Sequence, residues 1–485
     1  MDSERQRISL LRRCVPLVAW LIAVATLLLI PLKIVSYGFV PDGDMRRHVA
    51  KAFTDKPYTQ ILELRPGYTV DHNLGWEWLL RFLHQKGNWG ADALVAFSII
   101  SMMLVVFFAG LPWVRRPEAW LSALLAQLLA VPEFMTRLTQ ARPYLLTEGI
   151  FIAVLFAWAK YRVEKWCWKK LMLTTMGIAV SVWMHGAWYL WLLPLGAFFL
   201  ARWWREGIGL TGCWVAGVCA GALLSGRAVG FLTTNLSMAF DVFREGVPQW
   251  MMVGEFQPSD GEFATLVLLA IVFLWRKEAM VDLLRSPLIW MIAIGWVLGL
   301  HADRAWADWG IPAVLVWLAI QFEETMKGWW NNVSFKRIVI GLLIAVPLFL
   351  QSTSDLDRRY TLNLEDVFLD GSDASLRGWL PGDNGVFYSA DLNFFYNTFF
   401  KNPRANWRYV LGFEPALMPD EDRKIFRQIQ RRHGELKAYE AWIDKMRPAD
   451  RLEISGSARP DLPRLEWRNV PGDIWIGRLP KSNRQ

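Results

Sequence analysis

Two carboxylates one glycine apart, Asp42 and Asp44, open the stretch PDGDMRRH at residues 41–48. A carboxylate beside a hydroxyl can take its proton during group transfer. Two acids at this spacing could also hold Mg²⁺ or Mn²⁺, which favour oxygen ligands. Gly43 lets the backbone bend so that both carboxylates converge. The competing structural role is a turn, with Asp44 capping the helix that follows.

Basic groups come next. A phosphate leaving group needs positive charge beside it, and guanidinium matches phosphate geometry. Arg137, Arg142 and Arg304 lie at ends of apolar segments on the same side as the acids. Their structural alternatives are interfacial snorkelling, or an ion pair of Arg304 with Asp303 or Asp308. His72 and His185 sit beside or between helices on that side, and His48 and His301 join them as cavity-lining candidates. A hydrogen-bonded buried histidine is the blander role. No HExxH, GxSxG or P-loop pattern occurs, which removes metalloprotease, serine-hydrolase and NTPase signatures.

The elements that position these groups are membrane helices. The chain has 485 residues, is 54% hydrophobic and carries 29 Trp, too apolar for a soluble surface. Its apolar blocks have the length that crosses a bilayer, and short alternating segments of a barrel are missing. We expect about eleven spans. They fall at 15–35, 91–111, 120–131, 144–159, 171–183, 188–200, 210–224, 263–275, 287–300, 311–322 and 338–350. The tryptophans suit interfacial belts. The first run is too long for a signal peptide and reads as an uncleaved helix.

Basic residues orient the bundle. Arg5, Arg7, Arg12 and Arg13 place the N-terminus in the cytoplasm. Arg115 and Arg116, the run Lys160, Arg162, Lys165, Lys169 and Lys170, then Arg202/Arg205, Arg276/Lys277 and Lys336/Arg337 mark every second connection as cytoplasmic. The alternate connections, 38–90, 132–143, 185–186, 225–262 and 301–310, are then external and hold most of the candidate groups. Net charge is +8. Its place in short loops argues for orientation in the membrane and against nucleic acid. Cys14, Cys167, Cys213 and Cys219 show no metal spacing and read as small buried apolar residues.

The first external loop predicts two amphipathic helices, 46–53 and 71–85, the second capped by Asp71 or Asn73. Leu74, Trp78 and Phe82 share a face, so such helices would lie on the membrane surface. The tail, 355–485, predicts a soluble α/β domain. Its strands are expected at 386–388, 409–412 and 474–476, and its helices at 392–400, 420–432 and 438–446. Pro419 before Asp420 is a helix start. The fold class is therefore a polytopic α-helical membrane protein, 1–354, with a C-terminal α/β domain, 355–485.

This combination resembles the GT-C superfamily of membrane glycosyltransferases: PDGD after the first helix, a helical first external loop, about eleven spans and an external C-terminal domain. The pieces PDGDMRRHVAKAF, DHNLGW, ARPYLLTEG and HADRAWADWGIP look like a bacterial subgroup, as does VFYSADLNFFYNTFFKNPRANWRYVLGFEPALM in the tail. The resemblance implies an inner-membrane enzyme of inverting type with a periplasmic tail. Its donor would be a polyprenyl-phosphate sugar, its acceptor an envelope glycan, lipid or protein.

On that analogy Asp44 or Asp42 is the base or metal ligand. Asp44 is preferred, since it leads into the helix bearing Arg46, Arg47 and His48. Arg304, Arg142 and Arg137 would bind the donor phosphate. The tail lacks a WWDYG-like signature, which argues against oligosaccharide transfer to asparagine. Rival readings are an envelope polysaccharide polymerase or ligase, a lipid-linked sugar transporter or flippase, and a non-catalytic assembly protein. A transporter predicts ionisable groups deep in helices and paired repeats.

Overall fold

The structure is a computed structural model and describes residues 2–67, 72–160, 167–244, 257–259, 263–276, 283–329 and 334–480. Asp71, Arg162, Lys165 and Lys277 lie outside the described residues. Two compact units emerge. The first comprises Met1–Gly38, Ser98–Leu232 and Pro248–Tyr360; the second comprises Phe39–Phe97, Thr233–Val247 and Thr361–Gln485.

The helices before the tail run α1 Asp2–Ser36, α2 Asp44–Ala52, α3 Leu74–Gly87, α4 Ala91–Ala109 and α5 Pro117–Ala130. Next come α6 Glu133–Thr139, α7 Tyr144–Ala159, α8 Trp168–His185, α9 Leu192–Leu200 and α10 Trp204–Leu224. Then follow α11 Ala228–Arg244, α12 Phe263–Trp275, α13 Pro287–Gly299, α14 Ile311–Trp329 and α15 Lys336–Thr353. Every apolar segment expected from the sequence falls on one of these helices, the segment 188–200 on a 3₁₀ turn continued by α9.

Among the described residues, five stretches are long and apolar enough to cross a membrane: Cys14–Ser36, Ala91–Trp113, Trp204–Leu224, Asp303–Trp329 and Lys336–Thr353. α5 and α6, bent by 110° at Pro132, pass together as a broken span or re-entrant pair. Proline cannot continue the ladder of the helix before it, which accounts for the break in a stretch the sequence presents as a loop. Tyr144–Ala159, Trp188–Leu200, Phe263–Trp275 and Pro287–Gly299 are apolar but shorter. The chain is thus a mainly helical, membrane-embedded protein.

Within the first unit α14 is buried without a break from Ile311 to Ala319, as a helix surrounded by others must be. Trp120, Trp158, Trp191, Trp306 and Trp309 are fully buried. These five are core residues, while Trp168, Trp204, Trp275 and Trp329 are exposed at the ends of their helices. Arg116 and Arg337 are also buried, and Arg337 forms a two-pronged pair with Glu118 at 2.6 and 3.0 Å. Lys160 pairs with Glu323 at 2.6 Å. These cations are bound partners inside the helix bundle and not only loop charges. The four cysteines are free, and only Cys213 is buried in the protein.

The second unit is built on a five-stranded sheet: β1 Val386–Tyr388, β2 Arg408–Tyr409, β3 Arg451–Ser455, β4 Glu466–Val470 and β5 Ile474–Arg478. The order is β2-β1-β3-β5-β4, with β1 parallel to β2 and β3, and the β3-β5-β4 part antiparallel. Helix α16 Leu392–Lys401 crosses between β1 and β2, capped by Asp391, whose side chain accepts from the Asn393 amide. α17 Asp420–Arg431 and α18 Glu440–Ile443 follow.

Period-two alternation sorts the strand side chains. Val386 and Tyr388 join Phe426, Ile429 and Trp442 in one cluster, while Phe387 joins Phe394, Phe395, Phe399 and Tyr409 in another. The strands β3 and β4 were not expected, because Glu453, Glu466, Arg468 and Asn469 dilute their apolar pattern.

The first external loop belongs to this second unit. Leu62 forms a parallel bridge with Tyr409, the Glu63 amide donates to the Tyr409 carbonyl at 2.9 Å, and the Tyr409 amide donates to Ile61 at 3.0 Å. The loop therefore covers the free edge of β2. α2 packs against α3 and α16, and all its residues from Met45 to Ala52 are buried. That corrects the expectation of a surface-lying helix: its charges find ion-pair and aromatic partners inside the unit. α3 does keep an exposed apolar face, with Trp78 and Phe82 stacked at 5.6 Å.

Candidate active site

The PDGD acids belong to the second unit. Gly43 takes φ 81, a left-handed backbone that favours glycine, and precedes the first residue of α2. Asp44 is therefore inside the first turn, one position past the cap. Its side chain accepts from Arg47 Nε at 3.2 Å and from the Tyr396 hydroxyl at 3.4 Å. Arg47, fully buried, also donates to the Tyr58 hydroxyl at 2.8 Å and contacts His48 Nε2 at 3.1 Å. Its guanidinium lies 3.9 Å from the centre of the Phe413 ring. Tyr58 donates in turn to Glu77 at 2.7 Å, and Glu77 is 3.4 Å from His48 Nδ1.

Asp42 pairs with a different arginine, Arg46, at 2.6 Å. Arg46 is itself buried, bonded to Asp366 at 2.7 Å and to Asn397, beneath the Phe368 ring. The acids stay reachable while the arginines do not: Asp42 is 66% and Asp44 27% exposed, each arginine 1%. Partial burial pushes the Asp42 carboxyl up, Arg46 pulls it down and Asp366 raises it again. Solvent around an acid this exposed damps that push. The site thus holds two accessible carboxylates on a rigid, buried cationic base.

A divalent cation fits this donor set poorly. Each carboxylate already faces a guanidinium, and the two acids are drawn to separate arginines.

The arginine candidates Arg137 and Arg304 belong to the first unit. Trp306–Gly310 forms a single π turn between the short helix Asp303–Ala305 and α14. Such turns recur at functional sites. It holds Asp308, which has no exposed surface. Arg137 reaches Asp308 Oδ1 from α6 at 2.5 Å, and Arg304 reaches Oδ2 at 3.0 Å. Glu148, one turn into α7 and 2% exposed, hydrogen-bonds Asp308 as well. The Tyr144 ring lies beneath Arg304 at 5.4 Å and against His185 at 4.8 Å.

The close approach of α13 makes room for this turn. A Cβ on Gly295 would fall 2.6 Å from the Gly310 Cα, and one on Gly299 would fall 2.7 Å from the Trp306 side chain.

Of the remaining candidates, His48 and His185 each touch one of the two clusters. His48 is buried behind Arg47, and His72 is half-buried with its ring 6.2 Å from Phe413. His185 closes α8 and is buried. His301 is exposed, and Arg142 is half-buried just before α7. Sequence reasoning missed Tyr58, Glu77, Asp366, Tyr396, Asn397 and Glu148. It named Asp308 only as an ion-pair partner. Glu77 and Glu148 carried one available signal, an acid inside an otherwise apolar helix face.

Comparison with the models of known protein families finds no match, and comparison with curated proteins finds none either.

Proposed function

We propose that the protein transfers a sugar from a polyprenyl-phosphate donor to an envelope acceptor, as a GT-C-like enzyme of about eleven spans with loop 38–90 and the tail 355–485 outside the inner membrane. The observation that carries this reading is the pair of accessible acids, Asp42 and Asp44, anchored on the buried Arg46 and Arg47. Asp44 takes the proton of the acceptor hydroxyl as its oxygen attacks the anomeric carbon. The bond from that carbon to the phosphate oxygen breaks, and the electron pair leaves with the phosphate. Arg47 and Tyr396 hold the Asp44 carboxylate in one orientation. In the first unit, taken by itself, Arg137 and Arg304 are the groups whose charge suits a lipid phosphate.

The test is sugar transfer by protein in lipid vesicles, with a panel of radiolabelled undecaprenyl-phosphate sugars and envelope extract as acceptor. Asp44→Asn is expected to lower the rate by about 10²–10⁴-fold with an unchanged thermal midpoint, the range of a lost general base. A rate indifferent to both Asp44→Asn and Asp42→Asn would overturn the mechanism.

A second reading, a lipid-linked sugar transporter, draws support from the buried acids Glu148 and Asp308, because ionisable groups among apolar helices mark transport pathways. Movement of the donor across the same vesicles without transfer would favour it.

A further inference from the structure

Asp308 occupies the position in which two arginines would hold a phosphate. A single carboxylate receives three guanidinium bonds, two from Arg137 at 3.2 and 2.5 Å and one from Arg304 at 3.0 Å. Such bridging by two planar forks is the geometry by which arginines grip phosphate oxygens. Beside it lies Glu148, a second buried carboxyl group within hydrogen-bonding reach of Asp308.

Polar atoms around the pair remain unmet among the described residues: Glu148 Oε1 and the Tyr144 hydroxyl are both buried without a hydrogen-bond partner. Such atoms cost free energy in a protein interior unless something polar comes to them. Thr147, buried and adjacent to Glu148 in sequence, has an unmet hydroxyl too.

We propose that Asp308 is an internal substitute for the phosphate of a lipid phosphomonoester, which displaces it from Arg137 and Arg304 while the Glu148–Asp308 pair takes up a proton from solvent. This inference rests on the reading of those arginines as phosphate ligands. The coupling follows from burial. Asp308 has no exposed surface, so once its arginines turn to a ligand it would be an unpaired buried anion. That state is strongly disfavoured, and protonation relieves it.

The charged and titratable groups facing the pair are Arg137 from α6, Arg304, Tyr144 from α7 and, against the Tyr144 ring, His185 from α8. α13 contributes none, and the titratable groups of α14 lie in its second half, where Glu323 pairs with Lys160.

The sign is fixed. The bound state holds more protons than the free state, so affinity falls as pH rises. Above pH 7.5, where the ligand is already a dianion, the dissociation constant should rise about tenfold per pH unit.

The experiment is calorimetric titration of the full-length protein in lipid nanodiscs with geranylgeranyl phosphate at pH 8.0, in two buffers of different ionisation enthalpy. The wild type is expected to take up about one proton per phosphate bound. Asp308→Asn is expected to bind at least about tenfold more tightly, because nothing must be displaced, and to take up none.

Binding without proton uptake would overturn the inference and leave the phosphate reading of the arginines standing. Weaker binding by a folded Asp308→Asn would also overturn it, since that is what a purely structural aspartate gives. No binding by the wild type would overturn both. Binding with uptake in a protein that transfers no sugar would uphold the inference while sinking the transferase.

Discussion

A buried guanidinium is tolerated only where its N–H groups and its charge are met, and Arg47 shows how the site does this. It is bonded to Asp44, Tyr58 and His48 and capped by Phe413. Lysine cannot reproduce that planar fork. Arg47→Lys should therefore lower the transfer rate by about 10–100-fold, with a thermal midpoint reduced by several degrees. An unchanged rate in vesicles would show that the fork does not position Asp44.

The same reasoning applies to Glu453 on β3, buried and bonded by Ser389 at 2.6 Å and Ser455 at 2.7 Å. Burial pushes its carboxyl up to about 7. A carboxyl raised in the folded state binds a proton the unfolded chain has released. Stability thus declines as pH rises from about 4.5 to about 7, by up to about 3 kcal/mol, and then levels off. Glu453→Gln should raise the unfolding midpoint of the second unit at pH 8 and leave it unchanged at pH 4.5; circular dichroism of the purified protein reads this.

At this scale the sequence was legible where chemistry is local. PDGD and its neighbouring arginines are adjacent in the chain. Asp366, Tyr396 and Asn397 are not: they reach the acids and arginines of that segment from more than 300 positions away.

Elements carry the first unit's arginine cluster. α6 brings Arg137, α7 brings Glu148, and the π turn brings Asp308, held by the glycine face of α13. Gly295→Val should push that turn away together with the helix bearing Arg304, and so weaken binding of a lipid phosphate by about tenfold or more, while Gly328→Ala, in open space on α14, should not. Titration of both variants decides it.

Apolar blocks announced the helices within a few residues, because hydrophobic length is a strong signal. The bend at Pro132 and the π turn were not announced. A π turn has no periodicity of its own, and WADWG reads as the end of a loop. Ala141 adds a further local departure, a left-handed backbone at φ 52 just before α7. That conformation costs a non-glycine residue roughly 1–2 kcal/mol.

At the scale of the whole molecule the sequence divides differently from the structure. Hydropathy separates a membrane part from a tail, but hydrogen bonds join loop 38–90 to that tail through Tyr409 and α16. Edge-strand pairing between distant segments leaves no periodic trace, which is why the loop was read as an independent surface feature. A chain ended after Tyr360 should therefore expose α2. In membranes, trypsin is expected to cut it at Arg46, Arg47 or Lys51, residues that the complete chain keeps buried. Mass spectrometry showing equal protection in both chains would sink the claim that the tail folds the loop.

The bond between Arg46 and Asn397 spans 351 positions, which has a consequence in time. At roughly 5–20 residues per second, a ribosome needs roughly 20–70 s to pass from one to the other. Throughout that interval the earlier segment has left the ribosome while its tail partners, Asp366, Tyr396 and Asn397, are not all made. Its arginines wait in water, where they are well solvated and cost nothing. Had the loop carried an apolar core of its own, the same wait would invite aggregation. Polar, arginine-rich α2 is thus suited to being finished last: the order of synthesis favours a site whose earliest segment is the most soluble.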